Sequence, residues 1–252
     1  MKPITICAFA IILASLSFSC KTTSGSSSGS SPLNKINIFA SAESRADKSD
    51  MIANIDDFEI GQTSMGVNKL LGGIEIKDAV VRLEPRVNAV VLDFTAQGNV
   101  FKLSLKKDAR AAIIDAALRY NDAFEQKLLE KKGAKRNAAY GTAASDLSWG
   151  VLSLLSNNAK AKPVLKLGYT FVNDAPYFTI TIPESDNILL GSDSDYMVKK
   201  SITITLHYTR AQAEKLVELI SPENIADEIA AKNIPEDLLP EGQVEINAPD
   251  VY

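Results

Sequence analysis

The chain has 252 residues, 46% of them hydrophobic and 23% charged, and a formal net charge of −4. These proportions belong to an ordinary globular protein and exclude a globally disordered, collagen-like or coiled-coil chain. One His (His207) and two Cys (Cys7 and Cys20) exclude a disulfide-stapled scaffold, a Cys/His zinc site and a two-His metal site.

The first element is an export signal. Met1-Lys2 brings a positive charge, and Ile4 to Phe18 then carries none and is rich in Ile, Leu, Ala and Phe. A membrane-spanning helix needs about 20 such residues, so this shorter run fits the apolar core of a secretory signal. The segment Leu16-Ser17-Phe18-Ser19-Cys20 resembles the lipobox of bacterial lipoproteins. That resemblance implies cleavage after Ser19, diacylation of the Cys20 sulfur and Cys20 as the mature N-terminus. Ser19 fits the small position, whereas Leu16 stands four places before the Cys, where the usual box has three, and Phe18 is bulky. Ser17 and Ser19 also satisfy the small-x-small rule of the general signal peptidase, which leaves plain cleavage as the alternative. Lys21, rather than Asp, follows the Cys. By the same resemblance this points to the outer membrane rather than the inner.

Residues 21–31 are Lys, Thr, Ser and Gly only. Such a tract cannot bury enough surface to offset its ordering entropy, and it reads as a flexible tether with a reach of roughly 20 Å. The division predicted is therefore signal 1–19, lipidated Cys and tether 20–31, one α+β domain 32–233 and an acidic, Pro-containing tail 234–252.

Within the domain, Lys35 to Ser41 alternates as a strand would and Glu43 to Asp50 reads as a loop. Ile74–Leu83 reads as a strand stopped by Pro85. Ala89–Thr95 and Val100–Lys106 form a hairpin through Gln97-Gly98-Asn99, because Gly and Asn tolerate positive φ. Asp108 can cap a helix reaching Lys132, with Ala109, Ala112, Ile113, Ala116, Ala117, Tyr120, Phe124 and Leu128 on its buried face and Gly133 ending it. Residues 138–156, around Trp149, suit a strand or a helical turn, and Gly150 with its serine neighbours tilts them towards strand. Pro163–Val172 and Tyr177–Ile182 are strands joined by Asn173-Asp174-Ala175-Pro176. Lys200–Tyr208 alternates strictly, Thr209 caps a helix through Ser221, and Ser221 with Pro222 opens a last helix to Lys232. Val100–Leu128 and Ser201–Ile220 repeat a strand, cap and helix order, suggesting an internal pseudo-repeat. Hairpins followed by helices argue for an antiparallel sheet with two main helices packed on it.

No residue in this chain is expected to be catalytic, cofactor-binding or metal-binding; Cys20 is the one site residue, for lipid. His207 lies on the polar face of its strand without a placed Ser, Cys or carboxylate, so a hydrogen bond between elements is expected of it. Gly191–Tyr196, with Asp186, is an acidic loop lacking the Gly and terminal Glu of a calcium loop. Lys127, Lys131, Lys132, Lys135 and Arg136 suit a helix C-terminus or an anionic surface. Trp149, Tyr169, Phe171, Tyr177 and Phe178 read as core, with an aromatic-lined ligand pocket as the alternative. There is no phosphate loop, dinucleotide fingerprint, Gly-x-Ser-x-Gly elbow or metalloprotease motif. The function expected is a lipid-anchored envelope protein with a binding or structural domain, no cofactor, a membrane contact through Cys20 and a protein partner in the envelope, not nucleic acid. The alternatives are a small-ligand-binding lipoprotein and a carboxylate-dependent hydrolase.

Overall fold

Side chains that alternate between apolar and polar dominate the chain from residue 58 onward, and a pleated strand sends alternate side chains to opposite faces. The computed structural model describes residues 55–69, 72–133, 136–151, 159–189, 199–235 and 239. Among them are ten strands: β1 Phe58–Asn68, β2 Ile74–Glu84, β3 Ala89–Ala96, β4 Asn99–Leu105, β5 Gly141–Ala144, β6 Asp146–Val151, β7 Ala159–Ala161, β8 Val164–Val172, β9 Ala175–Ile182 and β10 Ile204–Tyr208. Three helices accompany them: α1 Lys107–Glu125, α2 Arg210–Ile220 and α3 Pro222–Ala231. The fold class is α+β, as the strand and helix patterns predict.

The strands form one antiparallel sheet in the order β5-β8-β9-β10-β1-β2-β3-β4-β6-β7. Consecutive strands β5 and β6 lie towards opposite ends of that order, yet only Ser145 separates them. β7 and β8 are likewise separated by Lys162-Pro163 alone. At this corner the Ser145 N–H and Oγ both donate to the Pro163 carbonyl at 3.1 Å. Residues 141–151 and 159–172 thus form one bent pair, whose β6 half joins the sheet through β4 and whose β8 half joins it through β9. The sheet is consequently curled. Its concave face holds the helices: α1 touches β4, β5 and β8, and α2 touches β1, β9 and β10. One continuous core results. It includes Val81, Leu83, Leu92, Phe101, Leu103, Leu165, Phe178, Ile180 and Leu206 from the sheet, and Ile113, Tyr120, Leu216 and Ile220 from the helices.

Both predicted hairpin turns form. Gln97 and Gly98 take φ of 48° and 79°, and Asn173 and Asp174 take 48° and 65°, the left-handed pair that matches strand twist. Thr209 caps α2 as expected: its hydroxyl accepts from Gln212 N–H and the Gln212 side chain accepts from Thr209 N–H, a full capping box. Ser221 caps α3 in the same manner.

Three expectations change. First, α1 has no side-chain cap, because the residue before it is Lys106 and Asp108 already lies inside the first turn. Second, α1 ends at Glu125 rather than Lys132. Lys127 takes φ 57°, Leu128 N–H reaches the Ala123 carbonyl and Lys127 N–H reaches Phe124, the paired bonds of a Schellman end. Beyond Phe124 the helix has no sheet to pack on. Leu128 is 64% exposed, and Leu129 packs against the core instead. Gly133 is therefore not the terminator. Third, β10 begins at Ile204; the earlier stretch contributes an isolated bridge, Asp186 to Lys200. β1 has no clear alternation in the sequence, because Gly61, Gly66 and polar Gln62, Thr63 and Ser64 interrupt it and a bulge between Glu59 and Gly61 shifts its register. Of residues 138–156, Gly141–Ala144 and Asp146–Val151 are the strands β5 and β6, and 152–156 lie outside the described residues. The signal, the tether, Lys35–Ser41 and Glu43–Asp50 lie outside the described residues.

Candidate functional site

An apolar groove with a cationic end lies where α3 crosses the helical face. Ser221 makes this corner: its hydroxyl donates to the Glu218 carbonyl at 3.0 Å and accepts from Asn224 N–H at 3.1 Å, so α2 ends and α3 begins at one residue. α3 then buries Ile225 and Ile229 and leaves Ala226 half-buried. Opposite it, α1 presents Ala111 and Ile114. Between them is a groove of about 340 Å³, with Ile220 at its base and Leu239 of the following segment on its margin. This volume is at the lower end of small-ligand sites.

One end of the groove is cationic. Arg110 and Lys107, both in the first turn and a half of α1, line it. Arg110 is only 6% exposed. Its Nη1 donates to the Asn88 carbonyl at 2.7 Å and the Leu105 carbonyl at 3.1 Å, and its Nη2 donates to Asn88 Oδ1 at 3.0 Å. Asn88, held at φ 48° after the 3-10 turn Pro85–Val87, turns both its oxygens towards the guanidinium. Burial lowers the Arg110 pKa from its ordinary value, but an arginine remains charged. A full positive charge therefore sits beneath the groove, hydrogen-bonded to amide oxygens and not paired with a carboxylate among the described residues.

His207 lies on the opposite, convex face. It is 4% exposed, its Nε2 is 2.8 Å from Asn68 Oδ1, and the Tyr177 ring meets it edge-on at 6.1 Å. The expected hydrogen bond between elements is present, joining β10 to the end of β1. Gly66 opposite makes room, since a Cβ there would meet Ile74 Cγ2 at 2.3 Å and His207 Cβ at 3.3 Å. Burial lowers the imidazole pKa to about 4, so it is neutral at pH 7.

The aromatic group does not assemble into one pocket. Trp149, Tyr169 and Phe178 are buried in the core, Phe171 packs at its edge, and Tyr177 is on the His207 side. The basic run leaves the helix early: Lys131 pairs with Asp174 at 2.9 Å, Arg136 donates to the Lys131 and Gly133 carbonyls, and Lys135 is outside the described residues. Of the acidic loop, 191–196 are outside them too, and Asp186 pairs with Lys200 at 3.7 Å.

Two carboxylates on the convex face have raised pKa values, both chiefly through burial: Glu84 and Asp93. Asp93 is held between Arg82 at 3.2 Å and Lys102 at 3.9 Å, the arrangement of a structural ion-pair cluster. Cys20 lies outside the described residues. The groove itself went unpredicted. Its one sequence signal was Arg110, a cation placed among the alternating apolar positions of α1.

Comparison with known proteins adds a family. A family described as "Uncharacterised Treponema protein" matches residues 54–227, from just before β1 to within α3. A Treponema pallidum (strain Nichols) protein described as "Uncharacterized protein" is 28% identical over 121 residues, covering 46% of this chain and 43% of its own length. The chain thus matches less than half of that relative. No solved structure matches significantly.

Proposed function

The chain belongs to this family of Treponema proteins, and we propose that it is a lipid-anchored protein of the cell envelope that carries a binding domain. Cys20 carries the proposal: it stands directly at the end of the uncharged run Ile4–Phe18 and directly before the Gly/Ser tract. Cleavage there and acylation of Cys20 would give a two-chain anchor, which holds a protein stably where one chain would not. The tether would let the domain range roughly 20 Å from its lipid. Lys21 in place of Asp supports the outer membrane over the inner. The apolar groove with a charged end supports a binding role over a purely structural one.

The test is metabolic labelling with a radioactive fatty acid followed by detergent phase partitioning. Wild type is expected to be labelled and to enter the detergent phase; Cys20→Ala is expected to lose the label and move wholly to the aqueous phase. A wild-type protein that is processed but unlabelled would sink the anchor and favour the general signal peptidase.

A further inference from the structure

We propose that the groove between α1 and α3 binds a monoacyl amphiphile with an anionic head, its chain along Ile114, Ile225 and Ile229 and its head at Arg110 and Lys107. This names the ligand class for the binding domain proposed above and rests on that reading.

The apolar half of the argument is the wall. Ala111, Ile114, Ile220, Ile225, Ala226 and Ile229 give the groove little to offer a polar body. The charged half is the end. A guanidinium has five N–H donors, and three of those of Arg110 are used, by the Asn88 carbonyl, Asn88 Oδ1 and the Leu105 carbonyl. The two remaining, Nε–H and one on Nη2, have no acceptor among the described residues. Lys107 forms no ion pair among the described residues. Both cations occupy the start of a 19-residue helix, where the backbone already presents positive charge and side-chain cations are unfavourable. Three positive sources therefore add up at one end of an apolar slot.

No acidic side chain among the described residues lines the groove to offset them. Asp108, the acid of the first turn, borders a different hollow on the other side of α1, beside Lys106 and Lys162. Glu223 and Asp227 of α3 are exposed and not part of the lining. A buried charge without a counter-ion is costly. A carboxylate or phosphate head would supply the counter-ion, and an attached chain would cover the wall.

The probes are dodecanoate, dodecanol and acetate, titrated by calorimetry into the full chain carrying Cys20→Ser. Dodecanoate is expected to bind one to one, and dodecanol about tenfold more weakly, the worth of a charge-assisted hydrogen bond. Acetate is expected not to bind measurably. Lys107→Met should weaken dodecanoate about threefold and leave dodecanol unchanged. Ala226→Trp, which fills the groove, should abolish both.

Equal affinity for dodecanol and dodecanoate would overturn the proposal. So would acetate binding as tightly as dodecanoate, or an Ala226→Trp variant with an intact circular dichroism spectrum that binds like wild type. If dodecanoate binds only after residues 240–252 are deleted, the occupant is the chain's own tail. If wild type is a dimer that Ala226→Trp dissociates, the occupant is a second copy. Because Cys20 is absent from this protein, failure here leaves the anchor standing, and an unlabelled Cys20 leaves the groove standing.

Discussion

The two halves of the sheet share a plan and differ in where they put charge. β2, β3 and β4 lead into α1; β8, β9 and β10 lead into α2; each half contains a tight left-handed turn and one helix laid into the concave face. In the first half the buried basic group among the described residues is Arg110, below the helical groove. In the second it is His207, on the convex face. Burial works against the charged form of both. Imidazole responds by becoming neutral, whereas guanidinium cannot and collects carbonyls instead. The difference teaches that, of these two buried basic groups, only Arg110 in the first half keeps its positive charge at neutral pH.

The strongest way to break this contrast is Arg110→Met. It leaves the carbonyls of Asn88 and Leu105 buried without their donor. It should cost about 3 kcal/mol in chemical denaturation, with no added pH dependence between pH 4 and 7. A loss below about 1 kcal/mol would show that the guanidinium is not structural.

His207 should behave in the opposite way. Its folded pKa of about 4 lies below the ordinary 6.5, so the unfolded chain takes up the proton first. The stability tied to neutral His207 is complete above pH 6.5 and is lost as pH falls from 6.5 towards 4. The loss should be on the order of 2 kcal/mol, and His207→Gln should flatten it. Parallel pH profiles for wild type and variant would refute a buried neutral imidazole.

The smallest effect separates the two helix starts. Thr209→Ala removes the capping box and should cost about 1 kcal/mol, whereas Lys106→Ala removes no cap and should stay within about 0.5 kcal/mol. Equal losses in thermal melts would erase the distinction between a capped and an uncapped entry.

Much of this architecture can be read before any folding is considered. The β2, β3, β4, β8 and β9 strands follow from side chains alternating with a period of two, which is local. The turns at Gln97-Gly98 and Asn173-Asp174 and the caps Thr209 and Ser221 follow from side-chain and backbone chemistry over four residues. The α+β class follows from their order. The end of α1 does not, because the periodicity that runs on to Leu128 carries no information about where the sheet beneath it stops. Nor does β1, whose glycines serve neighbours distant in sequence: Gly66 yields its space to Ile74 and His207.

The sequence by itself also determined the chemistry available: one histidine, a lone cysteine at the end of the apolar run, and an arginine among the alanines that open a helix. Only the tertiary structure decided what those residues face. The corner at Ser145 and Pro163 curls the sheet, the curl gives the helices a concave bed, and the sharp join at Ser221 brings α3 alongside α1. The groove and its unneutralised cation exist because residues 88, 107–114 and 220–229 are near in space. Proximity of that kind is set by the packing of whole surfaces, which no local pattern encodes.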